Sequence, residues 1–216
     1  MDPAAVMPSP TDIDAIRRRT ERYWFEDGLA ELAVGINFVV LALLFWTEAR
    51  LPPESPWRGL SAIGLPIVTI GGYFAARWAI GRLKQGITYP RTGRVAYRQP
   101  DARHQRMASA AAALVAAGLA FAIVRSPGIE PWTPALAGAA LAGLLMQVWL
   151  RFGLVRFAAL AVAALVVGLV AGRWLAPIEL AMAGLFGAVG CLLLGTGTVA
   201  LRRYLRTAPT PDGAPE

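Results

Sequence analysis

"LAELAVGINFVVLALLFWT", residues 29–47, contains one charged side chain, Glu31, in a run that is otherwise almost entirely apolar. A helix needs about 20 apolar residues to cross the roughly 30 Å hydrocarbon core of a bilayer. This run therefore predicts a membrane-spanning helix. The composition agrees, because 56% of the residues are hydrophobic and only 16% are charged, which is typical of a membrane protein.

Five further apolar runs lie between charged segments along the chain. The spans predicted in this way are residues 29–47, 59–78, 107–124, 132–150, 157–172 and 180–201. The outer connections between them are short, and short connections favour antiparallel neighbours. The predicted fold class is therefore an all-α membrane protein with six transmembrane helices in three antiparallel hairpins.

The basic residues predict the orientation of these helices, because cytoplasmic segments retain Lys and Arg. With both termini inside, 17 of the 21 Lys and Arg residues lie in inner segments and 4 in outer loops. The protein is expected to be a multi-pass protein of the bacterial cytoplasmic (inner) membrane, with the N-terminus and the C-terminus in the cytoplasm.

The N-terminal region before the first span shows a helical pattern of its own. In residues 11–28, Ile13 and Ile16 recur at helical spacing with arginines on the other side, and Thr11 can cap the helix. This pattern predicts an interfacial amphipathic helix, the alternative being a straight extension of the first span. Residues 1–10 and 207–216 are rich in Pro, Ala and Asp and are predicted to be disordered tails.

"GITYPRTGRVAYR", residues 86–98, has apolar residues in alternation on both sides of a Pro and Gly turn. This pattern predicts a short cytoplasmic β-hairpin. Its arginines, Arg91, Arg94 and Arg98, are candidate contacts to lipid headgroups or to a partner protein. The alternative is an ordered inner loop whose arginines only set the topology.

The chain lacks the sequence signatures of catalysis and of cofactor or metal binding. It has one cysteine, Cys191, and one histidine, His104, which excludes an internal disulfide and the His clusters that bind haem or zinc. "GTGTVA", residues 195–200, lacks the preceding strand of a dinucleotide site. We therefore predict no catalytic residue, no metal site and no cofactor. Nucleic acid is not an expected partner, because the arginines flank apolar runs.

Polar residues at membrane depth are the remaining signal, because they normally face the inside of a helix bundle. Asp27 and Glu31 lie on one helical face near the inner end of the first span. We expect Glu31 to pair with Arg77 or Arg156. The full candidate polar cluster is Asp27, Glu31, Arg77, Arg151 and Arg156.

A second polar group lies near the middle of the membrane. Asn37 of the first span has a depth similar to that of Thr69 and Tyr73, which lie on a helix running in the opposite direction. A hydrogen bond within the membrane between Asn37 and Thr69 or Tyr73 is therefore a candidate interaction.

At "RYWFEDGLAEL", residues 22–32, and "LKQGITYPRTGRVAYR", residues 83–98, the chain resembles a group of uncharacterised bacterial multi-pass integral membrane proteins. The resemblance covers the first two spans and the predicted hairpin. It implies a bacterial inner membrane and carries no activity or functional residue.

These observations favour a non-catalytic accessory or sensory membrane module with a basic cytoplasmic face. Its expected partners are the lipid bilayer with its anionic headgroups, a soluble or membrane protein, and a second copy of the chain. One alternative is a small-solute transporter or channel subunit, against which no span is rich in polar residues. Another is a lipid-modifying enzyme, which would need a Ser, His or acidic constellation.

Overall fold

The computed structural model describes residues 27–83 and 127–207. Within these ranges the chain forms five long α-helices, with a short 3-10 helix, Pro127–Trp132, before the third. The α-helices are α1 Leu29–Arg50, α2 Leu60–Leu83, α3 Thr133–Phe152, α4 Val155–Trp174 and α5 Ile178–Thr207. All five are long and apolar enough to cross a membrane, so the fold is that of a multi-pass membrane protein.

This architecture corrects the predicted fold of six helices with a β-hairpin. The regular secondary structure of the described residues is all helical, with five long helices and no strand. The length of apolar runs and a short alternation of apolar residues constrain a fold only weakly. An isolated two-stranded hairpin is only marginally stable in water. The predictions that lie outside the described residues are the span 107–124, the hairpin 86–98, residues 11–26 of the interfacial helix, and the tails 1–10 and 208–216.

The first helix has a defined polar start. Gly28 adopts φ 70°, a left-handed conformation that glycine reaches without a Cβ penalty. The Oδ1 atom of Asp27 accepts a hydrogen bond from the amide of Leu29 at 3.2 Å. Because the first amides of a helix have no intrahelical partner, this bond stabilises the beginning of α1.

The connection from α1 to α2 is held by Glu48, whose side chain is buried. Its two carboxylate oxygens accept hydrogen bonds from the amides of Gly59 at 2.7 Å and Ser61 at 3.0 Å. A carboxylate at a helix N-terminus satisfies free amides and complements the helix dipole. Glu48 therefore caps α2 from the end of α1.

The most extensive helix contact joins α1 to α5, which run antiparallel. A Cβ at position 35 would lie 3.1 Å from the carbonyl oxygen of Gly190, and a Cβ at position 197 would lie 3.0 Å from that of Gly28. The two backbones are therefore in direct contact, as is common where the hydrophobic effect does not drive helix association.

A second close pair joins α3 to α4. A Cβ at Gly138 would lie 2.6 Å from the carbonyl oxygen of Ala164, and one at Gly168 would lie 2.6 Å from that of Pro134. Between the two pairs, α4 and α5 bury a core of Phe157, Leu160, Ala164, Leu185, Val189 and Leu193. The first helix thus packs mainly on the last described helix, while the consecutive pairs α1–α2 and α4–α5 also contact each other.

The contacts between helices show at which end of the bundle each helix begins and finishes. The start of α1 lies beside the end of α5, where Gly28 meets Gly197, and beside the start of α4, where Glu31 meets Arg156. We call this the Glu31 end, and the end at which α1 finishes the Glu48 end. The second helix packs on α1 through Gly64 and Gly72 and finishes at the Glu31 end. The third begins at the Glu48 end.

Candidate functional site

A buried ion pair joins α1 to α4 at the Glu31 end. Glu31 lies in the first turn of α1 and its side chain is only 2% exposed. The Nη2 atom of Arg156, in the first turn of α4, lies 2.7 Å from its Oε1 atom. Opposite charges at this distance attract strongly where water is excluded.

The last helix and the start of α1 enclose this pair. Thr196 of α5 lies beside the Glu31 carboxylate, while its hydroxyl donates to the carbonyl of Leu192 at 3.1 Å. Asp27 is also close to Glu31 and is 1% exposed. The guanidinium of Arg156 lies 5.5 Å from the ring centroid of Phe157. Charge is therefore concentrated where α1, α4 and α5 meet.

The predicted cluster is only partly assembled. The structure brings Asp27, Glu31 and Arg156 together, whereas Arg77 lies on the exposed side of α2. There Arg77 lines a cavity of about 420 Å³ with Trp78 and Arg82. Arg151 is exposed at the end of α3, and its guanidinium lies 5.4 Å from the ring centroid of Phe152. The predicted depth of Arg77 in the membrane did not indicate that its side chain faces away from α4.

The structure does not bring Asn37 into a hydrogen bond with Thr69 or Tyr73. Asn37 packs directly against Gly72 of α2. Thr69 is exposed, and the ring of Tyr73, also exposed, packs edge-on against Phe74 at 5.5 Å. Successive residues of a helix point about 100° apart, so Tyr73 faces away when Gly72 faces Asn37. The candidate headgroup contacts Arg91, Arg94 and Arg98 lie outside the described residues.

The exposed charge of the Glu31 end is entirely positive in the described part of the chain. Both described carboxylates at this end, Asp27 and Glu31, are buried. The exposed charged residues here are Arg77, Arg82, Arg151, Arg202, Arg203 and Arg206. At the Glu48 end the exposed charged residues have both signs, Arg50, Arg58, Arg173 and Glu54, while Glu48 is buried and Glu179 is half-buried. At the Glu31 end, the described carboxylates are therefore buried and the six arginines named above are exposed.

Sequence reasoning missed one feature of this arrangement, the glycine contact between α1 and α5. It was signalled by a seven-residue spacing of glycines on both helices, Gly28 and Gly35 on one and Gly190 and Gly197 on the other. Asp27, a member of the predicted polar cluster, is buried beside Glu31.

Within the described ranges, no three His, Cys, Asp or Glu side chains are grouped so as to hold a metal ion. Comparison with known protein families, curated proteins and solved structures finds no match to this chain.

Proposed function

We propose that this protein is a non-catalytic accessory or sensory module of the bacterial inner membrane that binds anionic ligands through its basic Glu31 end. The observation that carries this proposal is the charge of that end, where the described exposed charges are all arginines. Clusters of exposed basic residues at a membrane surface attract anionic headgroups and acidic protein surfaces.

The same asymmetry supports a cytoplasmic location for the Glu31 end, because basic segments are retained inside. The described chain begins and finishes at this end, with Asp27 at the start of α1 and Thr207 at the end of α5. Both termini are therefore proposed to be cytoplasmic. A green fluorescent protein fused after residue 207 should fluoresce, and an alkaline phosphatase fused at the same position should be inactive.

The buried ion pair supports a structural role for charged residues within the membrane, rather than a role in transport or catalysis. Glu31 and Arg156 oppose each other within a packed junction of three helices. The adjoining α1–α5 contact is so close that backbone meets backbone. A solute pathway lined by these groups would need space between the same helices. The pair is therefore proposed to hold the bundle together while the arginines at its surface bind the ligand.

The proposal is tested by removing two arginines from each end of the bundle. Arg202→Gln with Arg203→Gln changes the basic end, and Arg58→Gln with Arg173→Gln removes the same charge from the Glu48 end. All four side chains are exposed. Binding of phosphatidylglycerol relative to phosphatidylcholine is measured by native mass spectrometry of the purified protein.

We expect the first pair to lower the preference for phosphatidylglycerol about two- to fivefold, which corresponds to the loss of exposed ion pairs, and the second pair to leave it unchanged. If neither pair alters lipid preference, an acidic partner protein is tested by cross-linking in cells. Equal cross-linking in both variants would reject the proposal.

A further inference from the structure

An apolar groove runs along the outer surface of the α1–α5 pair. It has a volume of about 480 Å³ and is lined by Val39, Leu43 and Trp46 of α1 and by Leu180, Gly187 and Cys191 of α5, among others. All of its lining residues are uncharged. Both helices are apolar enough to span a membrane, and within the described residues no side chain of α2, α3 or α4 lines the groove.

Small residues create the groove. Ala42 lies on the α1 side and Ala183, Gly184 and Gly187 lie on the α5 side. A Cβ at Gly187 would contact the Cβ of Ala42 at 3.5 Å. The two helices are therefore close at the floor of the groove, while their larger side chains form its walls.

The length of the groove matches one leaflet of a bilayer. On α1 it extends from Trp46 to Val39, and on α5 from Leu180 to Cys191. At 1.5 Å per residue these segments are about 10 Å and about 16 Å long. Half of the hydrocarbon core is about 15 Å. The groove therefore accommodates a single acyl chain that enters at the Glu48 end.

A cation lies beside Trp46, the lining residue of α1 nearest the Glu48 end. The guanidinium of Arg50 lies 5.0 Å from the ring centroid of Trp46, and the side chain of Arg50 is exposed. Trp is favoured at the level of lipid headgroups, and guanidinium groups bind phosphate through paired hydrogen bonds. The Arg50 guanidinium beside Trp46 and the apolar interior of the groove together match the two parts of a phospholipid.

We propose that this groove is a phospholipid-binding site, with one acyl chain between α1 and α5 and the lipid phosphate on Arg50. A second copy of the chain fits less well. A twofold dimer through the groove, with its axis along the membrane normal, would place the two Arg50 side chains at the same depth, where like charges repel. This site is independent of the basic Glu31 end.

Photo-cross-linking tests the site. The full-length protein is reconstituted with a phosphatidylcholine that carries a diazirine in one acyl chain, and the cross-linked peptides are mapped by mass spectrometry. We expect cross-links to concentrate on the groove segments of α1 and α5. Gly187→Leu fills the groove and should remove them. Gly195→Leu is the matched control, because position 195 is exposed on the same helix and has open space around it.

A second pair of variants tests the phosphate contact. Arg50→Gln should lower groove cross-linking about two- to fivefold, the range expected for an exposed ion pair, whereas Arg58→Gln should not. Alkylation of Cys191, the single cysteine of the chain, should be slowed by diacyl phospholipid and not by inorganic phosphate. Cross-links spread evenly over the exposed helices, or equal effects of Arg50→Gln and Arg58→Gln, would overturn the proposal. Protection that depends on protein rather than lipid concentration would indicate a second copy instead.

Discussion

Arg156 Nη2 lies 2.7 Å from Glu31 Oε1, and this contact joins two helix starts that are separated by more than half of the chain. A carboxylate that is 2% exposed is stable in its charged form only if an opposite charge stays beside it. The first turn of α4 is therefore held against the first turn of α1. The pair acts as a link between the α1–α5 pair and the α3–α4 pair.

Arg156→Gln is expected to lower the free energy of unfolding by about 3 to 5 kcal/mol, because it leaves the Glu31 carboxylate buried without its cation. The double variant Glu31→Gln with Arg156→Gln should lose less than the sum of the two single losses. Unfolding in detergent micelles measures these values. Arg77→Gln is the control and should have little effect, because Arg77 is exposed on α2. A coupling energy below about 0.5 kcal/mol would show that the two residues do not support each other.

Gly168→Ala should destabilise the α3–α4 pair. Its Cβ would lie 2.6 Å from the carbonyl oxygen of Pro134, and a backbone atom can yield only if the two helices separate. We expect a loss of about 1 to 3 kcal/mol, as for other overpacked sites. Gly143→Ala on α3 has open space around it and should be neutral or stabilising by up to about 1 kcal/mol. Equal unfolding midpoints for the two variants would contradict the close contact.

Glu48→Ala should weaken the start of α2, since it removes the acceptor for the amides of Gly59 and Ser61. Loss of a helix cap costs about 0.5 to 2 kcal/mol. Hydrogen exchange should increase first at the beginning of α2, while the core of α4 and α5 keeps its protection. Glu54→Ala in the same connection is exposed and should leave exchange unchanged. Unchanged protection in Glu48→Ala would indicate that the cap is not needed.

The existence of the helices could be predicted from the sequence much better than their packing. Apolar length is required by the bilayer itself, so the predicted runs that lie in the described residues fall on helices. Which helices pair depends on where backbones can approach. That contact joins α1 to α5, the most distant described helices in sequence, and hydropathy contains no information about such a choice.

The lack of packing information in the sequence also explains why the arginine that pairs with Glu31 could not be chosen in advance. Arg77 and Arg156 were predicted at the same depth, and depth follows from counting residues along a helix. Which of them reaches Glu31 depends on the rotation of α2 and α4 about their own axes, and these apolar helices show no clear polar face in sequence. Packing determines how each helix is rotated about its own axis, and of these two arginines only Arg156 faces α1.

The contact between Asn37 and Gly72 gives the most local test of the α1–α2 interface. A Cβ at position 72 would overlap the amide oxygen of Asn37, whereas a Cβ at position 71 would meet no atom within 4 Å. The two glycines are adjacent in the same helix, so their intrinsic helix propensities are the same. We therefore attribute the expected difference between alanine substitutions at these positions to Asn37, which supplies the three atoms nearest to a Cβ at position 72.

Gly72→Ala should therefore be less stable than Gly71→Ala by about 1 kcal/mol or more, the usual cost of overpacking. Asn37 is a short side chain in a helix, and rotating its amide away would bring the amide toward hydrocarbon, where polar groups are unfavourable. In an Asn37→Ala background the overlap is absent, and the two substitutions should have equal effects on the free energy of unfolding. If the difference persists in that background, another residue of α1 or a change in α2 itself is responsible, and the position of Asn37 described above is wrong.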